Sequence, residues 1–171
     1  MHLPITGGAV EIDGPDAPLV SGLAWRVTKS GACKYAVAWV GPKLVPMHRL
    51  IMDAKPGQEV DHKNGDGLDN RRANLRLATR SQNAKNRRAT ERCSSPFKGV
   101  SVKGRKFVVQ IKQNGQCLKI GTFDSEHRAA RAYDAAASLF HGPFARTNAM
   151  MGLYDKHADR QARPRPKVRH Y

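Results

Sequence analysis

The sequence predicts an α+β protein of two modules. A strand-rich amino-terminal region ends in a strand, loop, strand and helix, and a small three-stranded antiparallel sheet packed on one helix follows. Three observations predict this. Short apolar runs between Gly and Pro turn marks fill residues 1–60. A polar loop, Lys63-Asn64-Gly65-Asp66-Gly67, separates two short extended runs, and an Asn-Gly pair joins two alternating runs ahead of an alanine-rich helical pattern.

In the first region Gly7-Gly8, Gly14-Pro15, Gly31 and Gly41-Pro42 punctuate runs such as Lys34-Tyr35-Ala36-Val37-Ala38-Trp39-Val40. Trp25, Tyr35 and Trp39 are its expected core aromatics. The segment 57–92 opens on Gln58-Glu59-Val60-Asp61-His62 and crosses the polar loop. It resumes as Asn74-Leu75-Arg76-Leu77-Ala78 and enters a helix that Thr79 or Ser81 can cap. Neighbours on a strand face opposite ways, so Asp61 and His62 can both face that helix only if the strand end bends.

Residues 93–96 read as a linker between modules 1–92 and 97–148. Beyond it, runs 97–102, 106–112 and 117–123 are strand candidates, with Lys103-Gly104 and Asn114-Gly115 at the joints. Asp124 or Ser125 caps the helical pattern of Ala129, Ala130, Tyr133, Ala136, Ala137 and Phe140, which Gly142-Pro143 ends. Phe107, Val109 and Ile111 share one strand face and are expected to pack under Ala130, Tyr133 and Ala137, leaving Lys98, Lys103, Lys112 and Lys119 toward solvent. The basic tail 149–171 is expected to be disordered.

Charge narrows the partners. The chain carries 30 Lys+Arg against 14 Asp+Glu, a net +16, which disfavours self-association and favours a polyanion. The excess starts at residue 61, because residues 1–60 hold 6 basic and 5 acidic side chains. No apolar run is long enough for a bilayer and no leader pattern opens the chain, so a soluble, cytoplasmic protein with no membrane partner and no small-molecule cofactor is expected. Cys33, Cys93 and Cys117 form no Cys-x-x-Cys pair, which excludes a zinc knuckle and leaves oxygen and nitrogen ligands for any metal.

Phosphodiester hydrolysis needs a base for water, a cation at the phosphate and a scaffold for both. A histidine suits the first role, a carboxylate and an amide oxygen suit the second as hard ligands for Mg²⁺, and the stretch 60–87 offers all three residue types.

Here residues 57–90 resemble the HNH endonucleases of phage and mobile introns, the homing type without zinc. The resemblance is carried by Asp61-His62, Asp69-Asn70-Arg71, Asn74-Leu75-Arg76, Asn83 and Asn86-Arg87. Trp25, Tyr35 and His48-Arg49-Leu50-Ile51 resemble the region upstream in such proteins. The resemblance implies a ββα-metal core in which His62 is the general base. It also implies that Asp61 and Asn83 ligate one Mg²⁺ or Mn²⁺, and that Asn74 holds the loop in shape. Arg49 either touches phosphate or packs and caps. The run Lys85, Arg87, Arg88 and Arg92 is expected to contact phosphates, which positions DNA without reading it.

Residues 95–148 resemble the plant ethylene-response-factor (Apetala-type) DNA-binding domain. The likeness rests on Phe97-Lys98-Gly99-Val100, Gly121-Thr122-Phe123-Asp124, the run from Ala129 to Ala137 and the closing Asn148. It implies DNA contacts from Lys98, Gly99, Ser101, Lys103, Gln110, Lys112 and Lys119. Ser101, Gln110, Cys117 and Lys119 depart from the plant pattern, so sequence preference does not carry over. The expected function is therefore a DNA endonuclease that nicks or cuts duplex DNA, as a monomer or DNA-templated dimer. The alternative is a non-catalytic DNA-binding regulator on an inactive HNH scaffold. An RNA partner is disfavoured, because the solvent strand face lacks paired aromatics for stacking.

Overall fold

Short alternating runs and tight turns divide the chain into small sheets, and each sheet needs a cover for its apolar face. The structure, a computed structural model, describes residues 1–31, 33–88 and 93–158 and divides into two units after Arg87. The first unit holds β1 (His2–Ile5), β2 (Gly8–Glu11), α1 (Ala17–Val20), β3 (Arg26–Ser30), β4 (Cys33–Val40), β5 (Lys43–Pro46), α2 (Met47–Ile51), β6 (Glu59–His62), β7 (Leu75–Ala78) and α3 (Arg80–Lys85). The second holds β8 (Val100–Lys103), β9 (Lys106–Gln113), β10 (Gln116–Phe123), α4 (Glu126–His141) and α5 (Leu153–Lys156). Among the described residues, no helix is long and apolar enough to cross a membrane.

In the first unit β1 pairs with β2, β3-β4-β5 form an antiparallel meander, and β6 pairs with β7. Val10, Ile12, Trp25, Ala36, Ala38, Met47 and Ile51 make the core, with Val60 and Leu75 from the last hairpin. Trp25 donates its indole N–H to the Val20 carbonyl at 2.9 Å, so its one polar atom is satisfied inside. Trp39 departs from expectation. The two-residue period sends Ala36 and Ala38 inward and puts Trp39 on the opposite face, where it is 60% exposed. Helix α2 was not foreseen. Extended Pro46 precedes it, and Met47 and Ile51, four residues apart, bury one side of its single turn, each contributing roughly 1.5–3 kcal/mol.

The segment 57–88 has the expected order of strand, loop, strand and helix. Thr79, not Ser81, is the cap of α3: its hydroxyl accepts from Gln82 N at 3.2 Å while the Gln82 side chain accepts from Thr79 N at 2.8 Å.

In the second unit β9 is the centre of the sheet, and the hairpin to β10 turns on Asn114 and Gly115, both at positive φ. Ser125, not Asp124, caps α4, accepting from Arg128 N at 3.4 Å. Phe107, Val109 and Ile111 meet Ala129, Ala130, Tyr133 and Ala137 in one core. Val108, on the opposite strand face, is also buried.

Two boundaries are corrected. Residues 93–96 are part of this unit rather than a linker: Ser95 is buried with its hydroxyl accepting from Phe97 N, and the Ser94 hydroxyl accepts from Val102 N. The tail is ordered as far as α5, because Leu153 and Tyr154 pack on the core and the Tyr154 hydroxyl donates to Asp134 at 2.9 Å. The rest of the expected disordered tail, from 159 onward, lies outside the described residues.

Candidate functional site

Strand β6 is regular, so the expected bend at its end is absent. Asp61 and His62 face opposite ways, and each meets its own set of partners. On the helix side, Glu59 and Asp61 are two residues apart on the strand and meet two amides three residues apart on α3 and its cap. Asn83 donates to Glu59 at 2.5 Å, and Asn86 donates to Asp61 Oδ1 at 2.8 Å and to the His62 carbonyl at 2.8 Å. The helix amide on Asp61 is therefore Asn86, not the expected Asn83. The other Asp61 oxygen accepts from Nε of Arg76, its cross-strand neighbour, at 2.8 Å.

His62 looks the other way, into an aromatic corner formed with half-buried Tyr35 and His48. Its ring centroid lies 4.9 Å from that of His48, edge to face, and 5.9 Å from that of Tyr35, while Tyr35 and His48 are 5.6 Å apart. Its Nε2 is 3.4 Å from Oδ1 of the fully buried Asn70. Burial pushes the His62 pKa below the ordinary histidine value, against the opposing effects of Asn70 and of Asp61, Asp66 and Asp69. His48 is pushed down to about 3, first by burial and then by His62 and Arg49, and its buried Nδ1 has no hydrogen-bond partner. Burial also pushes Tyr35 up to about 12. Both imidazoles are thus neutral near neutral pH.

The loop between β6 and β7 is tied by polar bonds. Asn74, the residue expected to hold it, accepts from Asn64 N at 3.0 Å and donates to the Asp69 carbonyl at 2.8 Å. Asp69 accepts from Nε of Arg71 and from Asn64, each at 2.8 Å, and the Arg71 bonds hold its carboxyl below the usual range. Strand β2 clamps the far side: Glu11 N donates to the Leu68 carbonyl at 2.9 Å and Asn70 N donates to the Glu11 carbonyl at 2.7 Å. Arg72 adds a bidentate pair to buried Asp16, Nη2 donating to Oδ1 at 2.7 Å and Nε to Oδ2 at 3.0 Å. A side chain at Gly67 would sit 2.2 Å from the Lys34 carbonyl and 2.5 Å from the Tyr35 ring, so only glycine lets the loop rest on that wall.

The other expected residues separate into placed and displaced. Arg49 caps rather than reaching for phosphate: its guanidinium donates to the carbonyls of Gln58 at 2.6 Å and of Ala54 and Lys55 at 3.1 Å. Arg87 and Arg88 are exposed, Lys85 is half-buried, and Arg92 lies outside the described residues. In the second unit Lys103, Gln110, Lys112 and Lys119 are exposed on one sheet face, with Lys119 opposite Gln110. Ser101 is half-buried, with its hydroxyl donating to the Val108 carbonyl at 3.3 Å. Two expected DNA contacts take structural places instead. Lys98 is half-buried, and burial, then Arg146, pushes its pKa down to about 8. Gly99 has φ +75°, and a side chain there would lie 1.9 Å from the Tyr133 ring.

Sequence reasoning missed the partnerships of Asn70, Asn86 and Arg76. Asn70 and Asn86 stood inside recognised motifs, yet only the fold shows which neighbour each one meets. Among the described residues no cluster of three or more His, Cys, Asp or Glu can hold a metal, so a cation here would depend on a carboxylate with amide oxygens.

Residues 45–85 match the family model described as HNH endonuclease. A protein of Acanthamoeba polyphaga mimivirus named as an uncharacterized HNH endonuclease is 33% identical over 138 residues, covering 77% of this chain and 70% of that one. The chain belongs to the HNH endonuclease family. The family match spans α2 to α3, and so includes His48, His62, Asp61 and Asn83 of this HNH protein. An ethylene-responsive transcription factor of Medicago truncatula is similar to it at 32% identity over 84 residues, 47% of this chain and 31% of that one. No solved structure matches this chain.

Proposed function

We propose that this HNH protein is a DNA endonuclease that hydrolyses a phosphodiester bond at the end of β6, with His62 as general base. The observation that carries the reading is the setting of His62: a neutral imidazole held by Asn70 and two aromatic rings, one residue from a carboxylate. With the proton of Nε2 directed at Asn70 Oδ1, the lone pair is on Nδ1. Nδ1 takes a proton from water, the water oxygen bonds to phosphorus, and the bond from phosphorus to the 3′ oxygen breaks. The 3′ oxygen takes up a proton from solvent, so the ends are 5′-phosphate and 3′-hydroxyl.

The donor chemistry opposite His62 fits a hard divalent ion, Mg²⁺ or Mn²⁺, better than zinc. Asp61 would hold it together with Asn86, and Asn83 is the second amide of the same helix. Asp61 Oδ1 accepts from the Asn86 amide, and that amide turned by half a rotation would present oxygen in place of nitrogen, giving up its bond to the His62 carbonyl. Such an ion would supply charge neutralisation at the scissile phosphate and leaving oxygen if the end of β6 turned so that Asp61 and His62 met on one side, a turn that the regular strand does not show. Arg76 keeps the second Asp61 oxygen oriented. Calorimetric titration with Mn²⁺ is expected to show a greater loss of affinity for Asn86→Ala than for Asn83→Ala, and the reverse order would return the ligand role to Asn83.

In the same reading the exposed face of Lys103, Gln110, Lys112 and Lys119 lies in the major groove, with Arg87 and Arg88 on phosphates. The likeness to the plant transcription factor and the common exposure of those side chains support it. One candidate site per chain predicts nicking by a monomer, with double-strand cuts from a DNA-templated dimer or two events. The test is a supercoiled-plasmid assay with Mg²⁺, with EDTA, and with His62→Ala. Loss of nicking in the last two is expected, and equal nicking by the variant would remove His62 from the role. One observation favours a second reading, a regulator on an inactive scaffold: both Asp61 oxygens already have partners. Tight duplex binding with no cleavage under Mg²⁺ or Mn²⁺ would establish it.

A further inference from the structure

The wall that carries Tyr35 continues past the candidate site. Strand β4 alternates, so Tyr35, Val37 and Trp39 share one face while Ala36 and Ala38 enter the core. Tyr35 touches the His62 corner, Val37 is buried at 4% exposure, and Trp39 stands 60% exposed. Leu44, the cross-strand partner of Trp39, is 42% exposed on the same face. Arg26, the partner of Val37 on β3, adds an exposed cation to that face, and Lys43 stands at the hairpin tip beside Gly41-Pro42. An indole and a leucine side by side in water are unfavourable by themselves. Their exposure at one end of a wall that reaches the candidate base at the other points to a covering partner.

We propose that Trp39 and Leu44 form an apolar wedge against the minor groove of the duplex flanking the cleaved bond. The inference rests on the nuclease reading for its partner. Two features favour DNA over a second copy of the chain. The wall is continuous with the corner that holds His62, and a net charge of +16 opposes self-association while attracting a polyanion. The spacing is suitable as well. Four residues of strand span roughly 13 Å, or about four nucleotide steps of 3.4 Å, so the wedge meets the substrate about four nucleotides from the scissile phosphate. Apolar side chains inserted at a base step are a known means of holding a bent duplex, and an aromatic contact of this kind changes affinity by about tenfold on truncation.

The molecule carries its own reporter. It has two tryptophans, of which Trp25 is buried and bonded to Val20, so DNA-dependent changes in emission report Trp39. The experiment uses the full chain with His62→Ala and a random-sequence duplex oligonucleotide in EDTA. Quenching that saturates with duplex, and that Trp39→Phe removes, is expected. In the cleaving protein Trp39→Ala is expected to raise KM for plasmid about tenfold and to lower kcat much less, and Leu44→Ala to raise KM by a smaller factor. Emission unmoved by saturating duplex, or Trp39→Ala with the wild-type KM, would overturn the wedge. So would emission that shifts with protein concentration in the absence of DNA, which would make the surface a self-association face. Quenching that persists while His62→Ala cleaves like wild type would leave the wedge standing and remove the base assignment alone.

Discussion

The two units hold themselves together by different means. Around the β6–β7 loop of the first unit, Asp16, Asp61, His62, Asp69, Asn70 and Asn86 are all buried, and their order comes from directed polar bonds. The second unit is an alanine-faced helix laid on three strands, with a polar hub where Asn148 accepts from Lys98 N at 2.7 Å and donates to Asp134 at 2.8 Å. A polar cage fixes the directions of particular atoms and is vulnerable to loss of one partner or to protonation. A packed apolar layer is indifferent to both and vulnerable to changes of volume. In the proposed function the unit that needs an aimed imidazole has the cage, and the unit that needs only a stiff platform has the layer.

Perturbations should therefore separate the two. The largest expected effect is on cleavage: Asn70→Ala removes the acceptor facing His62 and should lower kcat by a factor on the order of 100, approaching the loss from His62→Ala. Rescue by Asn70→Asp, and little change in KM, would mark an orienting role, whereas an equal loss in both variants with a lower melting temperature would mark a packing role. Next is Gly99→Ala, which drives a methyl group into the Tyr133 ring and should cost the second unit about 3 kcal/mol or more, read as a lower denaturant midpoint. Residual metal-dependent cleavage by that variant would sharpen the contrast, and loss of both functions together would blur it.

Acid is the third probe. His48 has a folded pKa of about 3, and that of His62 is also lowered, so between the ordinary histidine value and those folded values the unfolded chain binds more protons. Their contribution is complete above about pH 6.5 and declines as pH falls, by up to about 1.4 kcal/mol per pH unit for each histidine. Asp69, also lowered, adds a loss of the same sign at lower pH still. His48→Phe should flatten the upper part of this dependence, and an unchanged slope in thermal melts from pH 7 to pH 4 would refute it. The smallest effect is Thr79→Ala, which breaks the reciprocal cap of α3 and should cost about 1 kcal/mol, seen in the first unit's melting alone.

What could be read in advance was local. The Asn114-Gly115 turn, the helical spacing from Ala129 to Ala137 and the caps, each narrowed to a pair that contains Thr79 or Ser125, depend on a few neighbouring residues, and those residues carry their own preferences. The partner sets could not be read, because they depend on approaches between distant segments. Asn70 is placed by Glu11, and Gly99 is a glycine because Tyr133 lies over it. Trp39 illustrates the same limit. Its bulk and apolar character placed it in the expected core, but only the packing of the meander shows that Ala36 and Ala38 occupy the inside. For Asp61, the resemblance named Asn83 as its companion, three residues before the Asn86 amide that the fold sets against it, a difference of less than one helical turn.

The clamp from β2 has a consequence for anyone wishing to transplant this chemistry. The stretch that matches the family, 45–85, contains the imidazole and its acceptor, but neither Glu11, which brackets that acceptor, nor Tyr35, on which the loop rests. Grafted alone into a foreign scaffold, it would take its motif along and leave its alignment behind. The portable cassette begins at the first hairpin, tens of residues before the first recognisable letter of the motif.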